Sequence, residues 1–503
     1  MRILFLASEV VPWSKTGGLA DVSAALPAAL AALGHDVLVA TPLYGKVKRD
    51  GILHSGRHLD LQFPFGRERA DLHLAETTSE RASAAGGRHR ILFVENARFF
   101  DRPELYGDSN GDYGDNALRF GFFGMAAVSG ALRLGFVPDI VHLNDWQTGP
   151  VAVALRSGYA HGPLGRAKSV FTIHNMAYQG YFPPQVMDEL GIPRSHFHPG
   201  GLEYHGQLNF MKAGLVFADA LTTVSPRYAY EVQTPEGGWG LDGVLRHRSR
   251  DLHGIINGVD VDEWSPQKDA WLPARYDARD QSGKAFCKRA LLDRFGLDPS
   301  DPQHGREGAP LFGIVSRMVS QKGFDILIPA LPHLLERGGR VVVLGTGEQR
   351  YQQGLRELSA RYPGRVGLLF GYDTALSHLV EAGSDFFLMP SLYEPCGLNQ
   401  MYSLLYGTVP IVRAVGGLDD TVRDLSEPDG TGIKFVPFDP RALAHAFDRA
   451  FALFADQKAL REVRRRGMAQ DFSWERSARD YERLYLTLHG RDGGELPALR
   501  KAK

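Results

Sequence analysis

The chain has 503 residues, too many for one ordinary hydrophobic core, so two domains are expected. Its hydrophobic content of 44% and charged content of 23% are those of an average globular protein and exclude wholesale disorder. A formal net charge of -1, from Lys+Arg 57 against Asp+Glu 58, gives no bulk attraction for nucleic acid or a membrane, so any anion binding must be local.

In chain order, the apolar run Ile3 to Ala7 comes first. It is too short for a signal-peptide core and is closed by Glu9, so it reads as a buried strand. No later stretch approaches the roughly 18 apolar residues of a membrane-spanning helix. The only two cysteines, Cys287 and Cys396, exclude a disulfide framework and suit a reducing compartment, so a cytoplasmic protein is expected.

After that strand, Lys15-Thr16-Gly17-Gly18-Leu19-Ala20-Asp21-Val22 leads into an alanine-rich helical stretch ending near Leu33. Strand, then cation and paired glycines, then helix, is a pattern for an anionic ligand: the glycines leave backbone N–H groups uncovered and the helix start adds orphan donors. Further strand-like runs follow at Asp36 to Ala40, Ile91 to Val94, Ile140 to Leu143, Val170 to Ile173, Leu221 to Val224 and Ile255-Ile256. A second series comprises Leu311 to Val315, Val341 to Leu344, Val366 to Phe370, Phe386 to Met389 and Val409 to Val412. Short apolar runs alternating with helical patterns predict two doubly wound α/β units with parallel sheets.

The change between units falls near Asn257-Gly258-Val259-Asp260, before a polar segment from Trp264 to Lys284. The expected domains are 1–257 and 258–473. A last helical pattern, 474–490, is expected to pack back on the first domain, and 491–503 reads as a flexible tail.

Ligands of doubly wound sheets lie beyond the carboxyl ends of the strands. There the first half places Asn144-Asp145-Trp146-Gln147 and His174-Asn175. The second half places Ser316-Arg317 through Gln321-Lys322-Gly323, where two cations at a helix start invite an anion. Gly345-Thr346-Gly347 is an incomplete dinucleotide fingerprint and carries little weight. Directly after Phe386 to Pro390 comes Ser391-Leu392-Tyr393-Glu394-Pro395-Cys396-Gly397-Leu398-Asn399-Gln400, and Gly416-Gly417-Leu418-Asp419-Asp420-Thr421 repeats the double-glycine device. A diphosphate fits these loops. Cys396 is read as a small packing or backbone-presenting residue rather than a nucleophile.

Taken together, Lys-x-Gly-Gly-Leu-Ala-Asp-Val, Asn-Asp-Trp, Ile-His-Asn, Asn-Gly-Val-Asp, Ser-Arg-x-x-x-Gln-Lys-Gly, Glu-Pro-Cys-Gly-Leu-x-Gln and Gly-Gly-Leu-x-Asp-Thr occur in the order seen in bacterial glycogen synthases and plant starch synthases. The chain resembles that family from about Arg2 to Leu488, the bacterial type more than the plastid one. The resemblance implies an α/β fold of the GT-B type, two Rossmann-like domains facing across a cleft. It implies retaining transfer of glucose from ADP-glucose to the 4-hydroxyl of an α-1,4-glucan; no cofactor is expected, and with no Asp-x-Asp pattern or ligand cluster at these strand ends no metal is expected either.

On that analogy Lys15, Gly17 and Gly18 would contact the donor diphosphate and glucose, with Asp21 nearby. Arg317 and Lys322 would neutralise the departing ADP, since charge developing on the diphosphate is met by preset cations. Glu394 would hold hydroxyls of the donor glucose and favour the cationic ring. His174 would hydrogen-bond the glucose beside Asn175, and Asp145 would orient His174 or the acceptor hydroxyl. Cys396, Gly397 and Leu398 would present backbone groups to the sugar, Thr421 would meet the phosphate and Tyr372 would stack on adenine. Tyr402 stands where related sugar transferases carry a second glutamate. The segment Tyr106 to Asn116 resembles the family's cleft loop. A UDP-glucose donor and a non-catalytic glucan- or nucleotide-binding module remain alternatives, as do a covalent intermediate and a front-face ion pair.

Overall fold

Short apolar runs build the central strands of the two large sheets in the computed structural model, which describes residues 1–298 and 308–490. Of these, 1–224, 229–258 and 474–490 form one unit, and 225–228 with 259–298 and 308–473 form the second. The expected tail 491–503 lies outside the described residues.

The first unit opens with β1 (Arg2–Leu6), β2 (Asp36–Pro42), β3 (Leu53–Phe63), β4 (Gly66–Glu76) and β5 (Arg88–Glu95). A two-stranded hairpin, β6 (Gly107–Asp108) and β7 (Gly111–Asp112), precedes β8 (Ile140–Asn144) and β9 (Lys168–Ile173). Three short strands, β10 (Tyr181–Phe182), β11 (Glu203–Tyr204) and β12 (Gln207–Asn209), form a separate small sheet before β13 (Ala220–Thr223) and β14 (Leu252–Gly254). The large sheet runs β14-β13-β9-β8-β1-β2-β5-β4-β3. Its pairings are parallel from β14 to β5, and the edge hairpin β3–β4 is antiparallel. The hairpin was not foreseen, because β3 reads Leu-His-Ser-Gly-Arg-His-Leu-Asp-Leu-Gln-Phe and an edge strand exposed over most of its length carries no apolar run. The strand expected at Ile255-Ile256 instead ends at Gly254, where Leu252 to Gly254 pair with Leu221 to Thr223.

The helix Trp474–Gly490 belongs to this unit. Tyr485 Oη lies 2.6 Å from His142 Nδ1, and His142 Nε2 lies 2.6 Å from Thr172 Oγ1 across the sheet. Burial pushes His142 down to about 3, so the ring is neutral. The chain passes closely at Gly258, where a Cβ would sit 2.6 Å from the Trp474 backbone.

The second unit holds β15 (Leu311–Val315), β16 (Arg340–Gly345), β17 (Val366–Phe370), β18 (Phe386–Met389), β19 (Val409–Arg413) and β20 (Ile433–Phe435), all parallel, in the order β17-β16-β15-β18-β19-β20. Phe312 and Phe386 stack in its core at 5.1 Å.

The parallel part of each sheet has one place where the strand order turns back. In the first it lies between β1 and β8; in the second, between β15 and β18. Loops leaving such neighbouring strands diverge to opposite faces and open a crevice, so the residues just after these four strands are the ones positioned to hold a ligand.

Candidate functional site

The reversal in the first sheet carries the glycine loop. β1 leads through Ser8 into Glu9, whose buried carboxylate accepts the Thr16 N–H at 2.5 Å, the Thr16 hydroxyl at 2.6 Å, the Gly17 N–H at 3.2 Å and the Tyr106 hydroxyl at 2.6 Å. The expectation that these amides stand open to an anion is therefore corrected: Glu9 already uses two of them. Gly18 begins the helix Gly18–Ala32, which has no side-chain cap, so its first turn keeps orphan donors. A Cβ on Gly17 or Gly18 would meet nothing within 4 Å, and Gly17 is extended at φ -151. Among the described residues no packing demands glycine at these two positions. Lys15 Nζ lies 2.7 Å from Asp21 Oδ1, with 53% and 33% of the side chains exposed.

Beyond β8 the backbone turns at Asp145, a left-handed non-glycine residue with φ 53. Its carboxylate accepts the His174 backbone N–H at 2.7 Å. Burial pushes Asp145 up to about 7 against the pull of the His174 and Asn175 amides. Asp145 thus fixes the backbone of the β9 loop, and the His174 ring is held by Asn144, Nε2 to Oδ1 at 2.9 Å. Asn144 Nδ2 donates to Leu6 O at 2.8 Å, so its Oδ1 is an acceptor and the assigned tautomer carries the proton on Nε2, leaving Nδ1 with a lone pair. Burial lowers His174 to about 3, so the ring stays neutral. Asn175 Oδ1 accepts the Ala177 N–H at 3.0 Å, which tightens the same loop.

In the second unit the loops after β15 and β18 are laced together: Leu392 N–H donates to Gln321 O at 2.8 Å and Gln321 Nε2 donates to Tyr393 O at 3.2 Å. Gly323, at φ 79, passes so close to Pro390 that a Cβ would lie 1.9 Å from its carbonyl. This lacing places Lys322 Nζ 2.6 Å from Glu394 Oε2, which also accepts from Ser391 Oγ at 3.1 Å. Glu394 is 6% exposed. A cavity of about 180 Å³ opens here, walled by Arg317, Lys322, Ser391 and Asn399 over an apolar floor including Ile314 and Leu388. Arg317 is exposed, and among the described residues no carboxylate pairs with it.

The Gly345-Thr346-Gly347 turn has a use the sequence did not reveal. Met318 N–H donates to Thr346 O at 2.6 Å and Glu348 N–H to Met318 O at 2.9 Å, so the turn clasps the residue after Arg317. The Gly416-Gly417 pair also has a reason other than an open anion loop. Gly416, at φ 45, would put a Cβ 1.9 Å from Glu394 O, and Gly417 would put one 2.1 Å from Cys396 O. These glycines let one backbone lie against the Glu394 loop. Gln400 Nε2 staples that loop by donating to Cys396 O and Gly397 O at 3.0 Å, and to Thr421 Oγ1 at 3.2 Å. The Thr421 hydroxyl itself donates to Gly417 O at 2.6 Å. Cys396 is buried, and Leu398 caps the short helix Asn399–Leu405. Tyr372, just past β17, is 82% exposed. Tyr402 stacks flat on Trp264 at 3.8 Å, a packing role.

Sequence reasoning missed Glu9 as the anchor of the glycine loop and Asn144 as the partner of His174. The signal for Glu9 was an acid closing a buried strand, and for Asn144 an amide preceding Asp145. Among the described residues no group of three or more His, Cys, Asp or Glu could hold a metal ion, and no helix is long and apolar enough to cross a membrane.

Comparison with known proteins matches residues 2–247 to the starch synthase catalytic domain family and residues 298–466 to glycosyl transferases group 1. Glycogen synthase of Myxococcus xanthus is 56% identical over 97% of this chain and 99% of its own length. Glycogen synthase of Anaeromyxobacter sp. strain Fw109-5 is 51% identical over 97% and 99%. The catalytic domain of Starch Synthase IV from Arabidopsis thaliana, solved bound to ADP and acarbose, superposes with a TM-score of 0.87 at 33% identity, covering 97% of this chain and 99% of that one.

Proposed function

This chain belongs to the glycogen and starch synthase family of retaining glycosyltransferases, and we propose that it transfers glucose from ADP-glucose to the non-reducing end of an α-1,4-glucan. The observation that carries this reading is the Lys322–Glu394 pair beside Arg317, at the strand reversal of the second sheet. Leaving-group departure builds negative charge on a diphosphate and positive charge on the sugar ring. Two fixed cations next to one carboxylate answer both, and groups set in place before the reaction need no reorganisation.

In this reading Arg317 and Lys322 take the diphosphate, and Glu394 steadies the sugar. Lys15, Gly17, Gly18 and Asp21 serve the donor as well: among the described residues nothing comes within 4 Å of a Cβ on either glycine. His174 accepts a sugar hydroxyl at Nδ1, with Asn175 beside it and Asp145 holding the loop. Cys396, Gly397 and Leu398 offer backbone groups to the sugar, Thr421 offers its backbone to a phosphate, and exposed Tyr372 covers the base. We place the reaction in the cytoplasm, in keeping with two cysteines that form no disulfide.

The test is transfer from ADP-glucose and from UDP-glucose to glycogen, with the released nucleotide and the anomeric configuration of the product both measured. Faster turnover of ADP-glucose and α-linked product are expected. A strong UDP preference would overturn the donor assignment, and no transfer from either would leave a binding module.

A further inference from the structure

We infer that Ser225 and Asp420 are positioning residues for the transfer: acting through the segment 225–228, they fix the backbone of the loop that carries Glu394. The inference rests on the reading above that the Glu394 carboxylate serves the donor sugar.

Ser225 is 0% exposed and lies 170 positions before the loop it meets. Its Oγ accepts the Tyr228 N–H at 3.2 Å, as suits a serine standing just before a helix that opens with proline, Pro226–Glu231. The hydroxyl proton goes to Pro395 O, 2.6 Å away, because a carbonyl can only accept. Between these two contacts, the Arg227 N–H donates to Asp420 Oδ2 at 2.7 Å.

Asp420 belongs to the helix Gly416–Thr421, and from that helix the Gly417 N–H donates to Glu394 O at 3.1 Å. The three bonds close a ring: Ser225 to Pro395, Arg227 to Asp420, and Gly417 back to Glu394. Two successive carbonyls of the loop are held by it. On the other side of Glu394, Gln321 holds the Leu392 N–H and the Tyr393 carbonyl. The backbone is tied before and after the glutamate, which leaves its side chain little but its own rotamers.

Pro395 makes this ring a matter of geometry at Glu394. Its ring fixes its own φ, so a shift of its carbonyl is passed to the preceding residue rather than absorbed. Pro395 is also buried, so a carbonyl that loses the Ser225 hydroxyl has no water to replace it and must move to find a donor. The first unit gains nothing from these bonds. Residues 225–228 interrupt a stretch whose neighbours, up to 224 and from 229, belong to that unit, yet all three bonds end on residues of the second.

Steady-state kinetics with ADP-glucose and glycogen test the assignment. Ser225→Ala and Asp420→Ala are each expected to lower kcat roughly tenfold while KM for ADP-glucose stays within about twofold of the parent value. Asp420→Asn, which keeps an oxygen for the Arg227 N–H, should recover most of the loss. A double-mutant cycle separates positioning from general weakening: in a Glu394→Gln background Ser225→Ala should cost little more, because the carboxylate it places is gone. A further loss of about tenfold in that background, or parent-like kcat in folded Ser225→Ala and Asp420→Ala, would overturn the inference. If Ser225→Ala fails to fold, Asp420→Ala in the same cycle decides. Parent-like turnover by Glu394→Gln would instead overturn the reading of Glu394, and the inference with it.

Discussion

Lys322 Nζ lies 2.6 Å from Glu394 Oε2, although the two residues are 72 positions apart and reach each other only through loops after β15 and β18. Glu394 is almost fully enclosed, while Lys322 keeps 21% of its side chain exposed. Removing one partner leaves the other charge poorly solvated, so Glu394→Ala should destabilise the fold by about 2 kcal/mol as well as lower turnover by orders of magnitude. That differs from a simple surface cleft, where only activity would suffer. Thermal unfolding of Glu394→Ala, Lys322→Ala and the double variant should show the double costing less than the sum. Strict additivity would mean that the pair does not couple.

Lys15 and Asp21 form a contrasting pair. Both are substantially exposed at 2.7 Å, so their attraction is worth little to the fold. Lys15→Ala is expected to unfold at the parent temperature while KM for ADP-glucose rises or kcat falls. A melting temperature lowered by several degrees would show the lysine to be structural.

The two double-glycine loops should answer substitution differently. Gly17→Ala adds a Cβ into open space on an extended backbone, so the protein should remain as stable as the parent and lose activity only if donor occupies that space. Gly417→Ala places a Cβ 2.1 Å from Cys396 O and should lower stability by about 2 kcal/mol. Calorimetry with an ADP-glucose assay separates the two; equal stability losses would contradict the difference in packing.

Acid stability follows from buried rings. Burial lowers His142 and His174 to about 3 and His89 to about 4. Between the unfolded value of about 6.5 and these folded values, the unfolded chain binds protons that the folded chain refuses, so their contribution is full above about 6.5 and lost as pH falls. Asp145 and Glu381, raised by burial to about 7 and about 8, act in the opposite sense: their contribution is present below about 4 and lost as pH rises toward 8. Stability should therefore peak near pH 6.5 and fall steeply below pH 4, by about 1.4 kcal/mol per pH unit for each unmatched proton. Melting temperatures that climb on acidification from pH 6.5 to 4 would contradict this balance.

The core strands and the loops that follow them were legible because a parallel strand buried on both faces leaves an apolar run, and chemistry gathers where it ends. Lys15, His174, Arg317 and Glu394 were singled out this way, as residues just past strand ends. The β3–β4 hairpin was not, since an edge strand needs no apolar run. Glu9 was hidden because its role depends on a backbone turn seven residues on, and the packing role of the Gly416-Gly417 pair was hidden because close backbone packing and anion binding call for the same residue.

The helix Trp474–Gly490 belongs with the first unit, and residues 225–228 belong with the second. A gene divided once near codon 258 would therefore yield two damaged products. One would lack Tyr485 against His142, and the other would lack Ser225, whose hydroxyl meets Pro395 O at 2.6 Å beside Glu394. A single cut near residue 258 therefore parts each unit from a piece of itself carried on the other side.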